Sequence, residues 1–182
     1  LPFDEILEAV PQSPLAQPAL PAGLAVPNRW CVLPMEGWDG TPDGRPSELT
    51  RRRWQRFGLS GAGLVWGGEA VAVRHDGRAN PNQLVIRPDT LADLSGLRET
   101  LVGAYREATG SAGSPVTGLQ LTHSGRFSRP NGKMLEPLLA YDHPLLNPRF
   151  GLPIPSGRII SDGQLEELIQ DFVRAAGLAR EA

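Results

Sequence analysis

The residues best suited to chemistry lie in one short run, Gln120 to Arg126, which reads QLTHSGR. Leu119 and Leu121 alternate with Gln120 and Thr122, the period of a strand with one buried face. His123 and Ser124 leave that strand, and Gly125 with Arg126 turn the chain. An amide, an imidazole and a guanidinium are thereby set at one rim of a sheet. In parallel α/β proteins the rim at the carboxyl ends of the strands is where ligands bind.

Other candidates compete less well. His75 beside Asp76 could form a catalytic pair, but neighbours in sequence seldom face each other, and HDG reads better as a surface turn. Arg51, Arg52, Arg53 and Arg56 could hold a phosphate. They sit at the wrong end of a βα unit for ligand contact, so a solvated helix face is the better reading. His143, in a DHP turn, has no visible partner and reads as structural. The single cysteine, Cys31, rules out a disulfide framework or a cysteine metal cluster within these residues and fits a reducing, cytoplasmic setting.

Among the elements that must position these residues, Trp30–Leu33 is a short apolar strand between Pro27 and Pro34. A Gly- and Pro-dense loop follows, and Ser47 opens a helix to about Phe57, with Leu49, Trp54 and Phe57 toward a core. Residues 61–68, GAGLVWGG, form a second strand. Gly67 and Gly68 remove side chains there, either for close approach of a ligand or to relieve crowding between strands. Asp89 or Thr90 caps a helix in which Leu91, Leu94, Leu97, Leu101 and Tyr105 recur at helical spacing; it ends near Thr109, with Gly110 following. Pro115–Thr122 is the third strand. Residues 127–158 are irregular and rich in proline, the kind of long loop that serves as a lid or stays disordered. Ser161 and Gln164 make a capping box for a last helix with an apolar stripe of Leu165, Leu168, Ile169, Phe172, Val173 and Ala176. Residues 1–27 read as an extended lead-in, with a possible short helix over Phe3–Val10, and residues 28–182 as one domain portion.

The order strand, helix, strand, helix, strand, helix implies a parallel sheet with crossovers. Long loops after strands and short ones after helices predict an α/β fold of the (β/α)8 TIM barrel type, of which three βα units are present. The chain is 40% hydrophobic and 21% charged with a formal net charge of −2, which suits a soluble globular protein and argues against nucleic acid as a partner. No apolar run approaches the ~20 residues needed to span a bilayer, so no membrane partner is expected. Asp4, Glu5 and Glu8 near the start are unlike a signal peptide.

Three segments together resemble the old yellow enzyme family of flavin-dependent ene-reductases. They are NRWCVLPMEG (28–37), GAGLVWGGEAVAV (61–73) with DGR after it, and LQLTHSGR (119–126). The helix from Ser161 is similar to the one that leads into the family's fourth strand. The resemblance implies an FMN-dependent oxidoreductase that takes hydride from NAD(P)H and passes it to an activated alkene or related conjugated acceptor. Carried over by position, Leu33, Pro34, Met35 and Glu36 would line one side of the isoalloxazine. Ala70 would approach the ring through its backbone, and Gln120 would hydrogen-bond its pyrimidine edge. A carboxamide both donates and accepts, which suits the mixed N3–H and carbonyl edge of a flavin. Trp38 would stand against the substrate. His123 and Arg126 would either touch the cofactor or fix the loop after the third strand.

Two departures accompany the resemblance. Glu36 replaces the small Thr, Ser or Cys common after PM; beside a reduced, anionic flavin it would lower the potential, unless it turns away. A complete barrel takes about 250 residues. The proton donor, the substrate-binding His/Asn pair and the phosphate loops would lie beyond residue 182. The expected partners are a small-molecule substrate, the remainder of the barrel and, as an open option, a second copy in a homo-oligomer. Two other readings stand beside the ene-reductase: the family's larger branch with an iron–sulfur cluster and a further domain, and a barrel-derived binding module without redox activity.

Overall fold

The computed structural model describes residues 10–182. The helix expected over Phe3–Val10 falls on residues outside those described. From Val10 the lead-in runs through turns and a short 3-10 helix at Pro21–Gly23, with one antiparallel bridge between Ala19 and Val26.

Three strands form a parallel sheet in the order β1 (Cys31–Val32), β2 (Leu64–Ala72), β3 (Val116–Thr122). The connecting helices are α1 (Glu48–Leu59) and α2 (Leu91–Thr109); after β3 come a one-turn α3 (Leu146–Arg149) and α4 (Asp162–Glu181). The alternation is the expected one, with the long loops following strands.

The helix ends follow local chemistry. Ser47 accepts the Thr50 N–H while the Thr50 hydroxyl accepts the Ser47 N–H, a closed capping box at the start of α1. Ser161 and Gln164 do the same for α4. Gly110 ends α2 at φ 65°, a left-handed conformation that a glycine adopts without steric cost.

One face of the sheet is the core. Val65 and Val71 of β2 pack with Trp54 of α1 and with Leu94, Leu97 and Leu101 of α2; Val32, Leu119 and Leu121 press on the same cluster. On the other face Cys31, Leu33, Trp66 and Gln120, which alternate with those core residues, are exposed, whereas Ala70 and Ala72 toward its carboxyl end are buried. Helix α4 is similarly one-sided. Leu168, Phe172 and Ala175 pack inward, whereas Leu165, Ile169 and Val173, expected in the buried stripe, are exposed.

α1 departs from expectation in two places. Leu49 is exposed and Thr50 is buried instead, because its hydroxyl donates to the Asp39 carbonyl at 3.0 Å. Arg53 is not on the solvated face: it is turned inward onto two carboxylates. The segment 127–158 is ordered by Asn147. That buried amide accepts from Arg126 and from the His143 N–H at 3.2 Å, and donates to Asp142 at 2.6 Å and the Pro153 carbonyl at 3.2 Å.

Candidate functional site

The register of the sheet decides which residues share the carboxyl rim. Leu64, Val65 and Trp66 of β2 face Val116, Thr117 and Gly118 of β3; after an irregularity, Ala70, Val71 and Ala72 face Gln120, Leu121 and Thr122. The irregularity falls between Trp66 and Ala70, over Gly67, Gly68 and Glu69. A Cβ on Gly68 would come within 3.1 Å of Val65 Cγ1 and 3.3 Å of the Phe57 ring, so crowding accounts for that glycine. Beyond the bulge, the Ala70 N–H donates to the Met35 carbonyl at 3.1 Å. Ala70 thus touches the tips of both neighbours, and Met35, Ala70 and Gln120 stand at one rim.

At that rim Leu33, Met35, Glu36, Trp38 and Gln120 are exposed and Pro34 is half-buried. Met35 is 73% and Trp38 59% exposed, so the loop after β1 presents apolar side chains. Neither Gln120 nor Glu36 has a side-chain hydrogen bond among the described residues, and exposure leaves both available to a ligand. Ala70 differs: it is buried, its N–H is held by Met35, and its carbonyl accepts from Gln83 at 2.8 Å.

The loops around the rim are fixed by buried and half-buried polar residues that were not expected in the site. Glu69 is fully buried; its Oε1 accepts the Gly37 N–H at 2.8 Å and its Oε2 accepts Arg53 Nη2 at 2.6 Å. Arg53 also forms a two-pronged pair with Asp39, at 2.9 and 2.8 Å, and donates to the Gly68 carbonyl at 3.1 Å. Buried Asn80 donates to the Gly37 carbonyl at 3.1 Å. Gln83 bridges the Ala70 carbonyl and the Thr122 hydroxyl, tying the ends of β2 and β3. Arg78, also buried, donates to three backbone carbonyls, at Gln83, Pro42 and Thr41. One signal was in plain view: Glu69 is a lone charge in an otherwise apolar strand. Arg78 stood in the DGR segment; Arg53, Asn80 and Gln83 carried none, because Asp39, Gly37 and Ala70, which they bond, meet them only after folding.

The charges follow their surroundings. Arg53 holds the Asp39 carboxyl below the ordinary carboxylate range, chiefly by hydrogen bonding. Burial pushes Glu69 up, opposed by the Arg53 charge, the Arg53 hydrogen bond and the Gly37 N–H. Burial likewise opposes charge on Arg53, but Asp39 and Glu69 outweigh it and its pKa rises. Both Glu69 oxygens accept from N–H donors, so we read it as a carboxylate.

His123 and Arg126 fix the loop after β3. His123 Nδ1 accepts the Gly125 N–H at 3.1 Å, its ring lies against Gly77, and its Nε2 is 3.7 Å from Asp76 Oδ1. Arg126 donates to Asn147 and to the Tyr141 carbonyl at 2.8 Å. His75 and Asp76 do not pair; Asp76 takes Arg74, and His75 meets Asn131. The ring nitrogen of His143 accepts the N–H groups of Leu145 and Leu146. Among the described residues no cluster of three or more His, Cys, Asp or Glu could hold a metal ion, and no helix is long and apolar enough to cross a membrane.

No family model matches the chain, and no curated protein matches it. Solved structures do. The 2-naphthoyl-CoA reductase complex with 2-naphthoyl-CoA superposes with a TM-score of 0.72 at 17% identity, over 92% of this chain and 26% of that one. Morphinone reductase bound to tetrahydroNAD gives 0.64 at 21% identity, over 93% and 47%. Old Yellow Enzyme from Pichia sp. AKU4542 gives 0.63 at 16% identity, over 94% and 44%. The chain carries part of the old yellow enzyme barrel fold. It spans less than half the length of each of these proteins. Its three parallel strands and their helices are therefore consecutive βα units of a (β/α)8 architecture.

Proposed function

We propose that this chain is the first part of an FMN-dependent oxidoreductase that takes hydride from NAD(P)H and delivers it to an activated alkene or related conjugated acceptor. The observation that carries the reading is the shared rim. Ala70 joins Met35 and Gln120 there, beside exposed Leu33 and Trp38 and a carboxamide with no protein partner among the described residues. The residues present fit a flat, amide-edged ring. Gln120 would supply a donor and an acceptor to its pyrimidine edge. Leu33, Pro34 and Met35 would form an apolar wall along one side. Ala70 would back the ring, and Trp38 would face the substrate and exclude water.

Bound FMN would supply a two-electron carrier that takes up and gives back hydride at N5. The protein's share is positioning and electrostatics. The proton donor, the residues that bind the substrate and the phosphate site would belong to the remaining barrel, the expected partner of this part. The test is the visible spectrum and FMN titration of the full-length protein. A colourless protein that takes up no FMN overturns the reading and favours a binding module.

One observation supports a second reading. The 2-naphthoyl-CoA reductase, which superposes with a TM-score of 0.72, is a long chain of which this one covers 26%. In that reading the parent is longer; an added iron–sulfur cluster and a further domain remain the proposal. A cysteine cluster downstream in the full-length sequence would decide for it.

A further inference from the structure

We propose that Glu69, Arg53 and Asn80 are positioning residues of the rim site, which grip the two peptide groups flanking Gly37 and so fix where Glu36 and Trp38 stand. The proposal rests on the reading of the rim as a flavin site.

The grip is complete at the level of single atoms. The peptide joining Glu36 to Gly37 donates its N–H to Glu69 Oε1 at 2.8 Å. The peptide joining Gly37 to Trp38 offers its carbonyl to Asn80 Nδ2 at 3.1 Å. The next carbonyl, of Trp38, accepts from Asn82 at 3.3 Å, and that of Asp39 accepts from Ser47 and Thr50. Both gripping side chains are fully buried, so water does not compete for either bond. Glu69 is itself held by Arg53, which is braced against Asp39 and the Gly68 carbonyl.

Glycine is required at the centre of the grip. A Cβ on Gly37 would collide with the Arg53 guanidinium and lie 2.6 Å from Asp39 Oδ1 and 3.0 Å from Glu69 Oε1. Its backbone lies in the ordinary region, since it is not among the glycines with positive φ. Proximity to the ion cluster, not backbone freedom, explains the residue. Glu36 and Trp38, the neighbours of this pinned glycine, are the exposed side chains that the flavin reading sets beside ring and substrate. A loop pinned at its peptides presents such side chains with little entropy left to lose on binding.

The experiment uses the full-length protein and the variants Glu69→Leu, Glu69→Gln and Asn80→Ala. Amide exchange at Gly37 reads the grip, and FMN titration reads the site. Glu69→Leu leaves Arg53 paired with Asp39, fills the buried volume and frees the Gly37 N–H. It should speed exchange at Gly37 and weaken FMN binding, each about tenfold, the worth of one buried hydrogen bond. Glu69→Gln keeps an acceptor for that N–H and should recover most of both. If Glu69→Leu does not fold, Asn80→Ala, which frees the Gly37 carbonyl, takes its place, read by FMN titration and by the NMR shift of the Gly37 carbonyl carbon, whose lack of change would overturn the grip. Unchanged exchange overturns the grip. Faster exchange with unchanged FMN affinity overturns its role in the site. If the parent takes up no FMN, the flavin reading and the role in that site both fall, while exchange alone still decides the grip.

Discussion

At the scale of single residues, Glu36 and His123 make the sharpest tests. Glu36 places a carboxylate at a rim where a reduced flavin would be anionic, and like charges disfavour reduction. Replacing it by Gln should raise the midpoint potential of bound FMN, by about 30 mV if the charge contributes about 1.4 kcal/mol to this two-electron couple. Spectroelectrochemistry reads the shift; an unchanged potential places the carboxylate away from the ring. His123 is a base whose pKa is lowered, first by burial, against the pull of Asp76. The unfolded chain therefore binds a proton near pH 6.5, where the folded one does not. Its contribution is complete above that pH and is lost as pH falls through the lowered folded value. The melting temperature should drop between pH 7 and 5, and His123→Gln, which keeps an acceptor for the Gly125 N–H, should flatten that slope. Equal slopes in the two proteins would contradict this.

At the scale of elements, α1 and α2 meet at Gly58. A Cβ there would run into the Leu101 carbonyl and come within 2.8 Å of the Ala104 Cβ and 3.0 Å of the Tyr105 nitrogen. Alanine favours a helix interior by about 1 kcal/mol over glycine. Overpacking against backbone costs about 1–3 kcal/mol and should win. Gly58→Ala is expected to lower stability in chemical denaturation, and a gain would mean that the two helices separate without cost. What was legible in the sequence follows the same division between local and distant causes. Ser47, Gly110, Ser161 and the alternation around Leu119 announced their elements because capping, left-handed backbone and strand period are local. The rim was legible because the ends of parallel strands share one side. The inward turn of Arg53, the burial of Arg78, Asn80 and Gln83, and the exposure of Leu49 depended on loops that meet only after folding. Ile169 and Val173 had the right spacing for a buried stripe, but α4 has a neighbour on one side only.

At the scale of the whole molecule, one layer of helices covers one face of a three-stranded sheet. The opposite face carries exposed Leu33 and Trp66, and α4 exposes Leu165, Ile169 and Val173. β3 pairs with β2 alone among the named strands, which leaves its other edge free to template association. Produced by itself, the 182-residue chain should bind a hydrophobic dye and self-associate with concentration in sedimentation velocity. A dye-silent monomer would show that this face needs no cover. The glycine bulge has a consequence for how such a chain tolerates insertions and deletions. Between Trp66 and Ala70 lie three residues, opposite the single Leu119 between Gly118 and Gln120. The surplus of two returns Ala70 to the face that Trp66 occupies, while Gly68 and Glu69 both lie against α1. Deleting Gly67 alone would exchange the outlooks of Glu69 and Ala70, swinging a carboxylate into the place meant for a ligand, whereas deleting Gly67 and Gly68 together would restore them. Length at this spot is counted in pairs: single deletions should abolish FMN uptake in the full-length protein, and double ones should spare part of it.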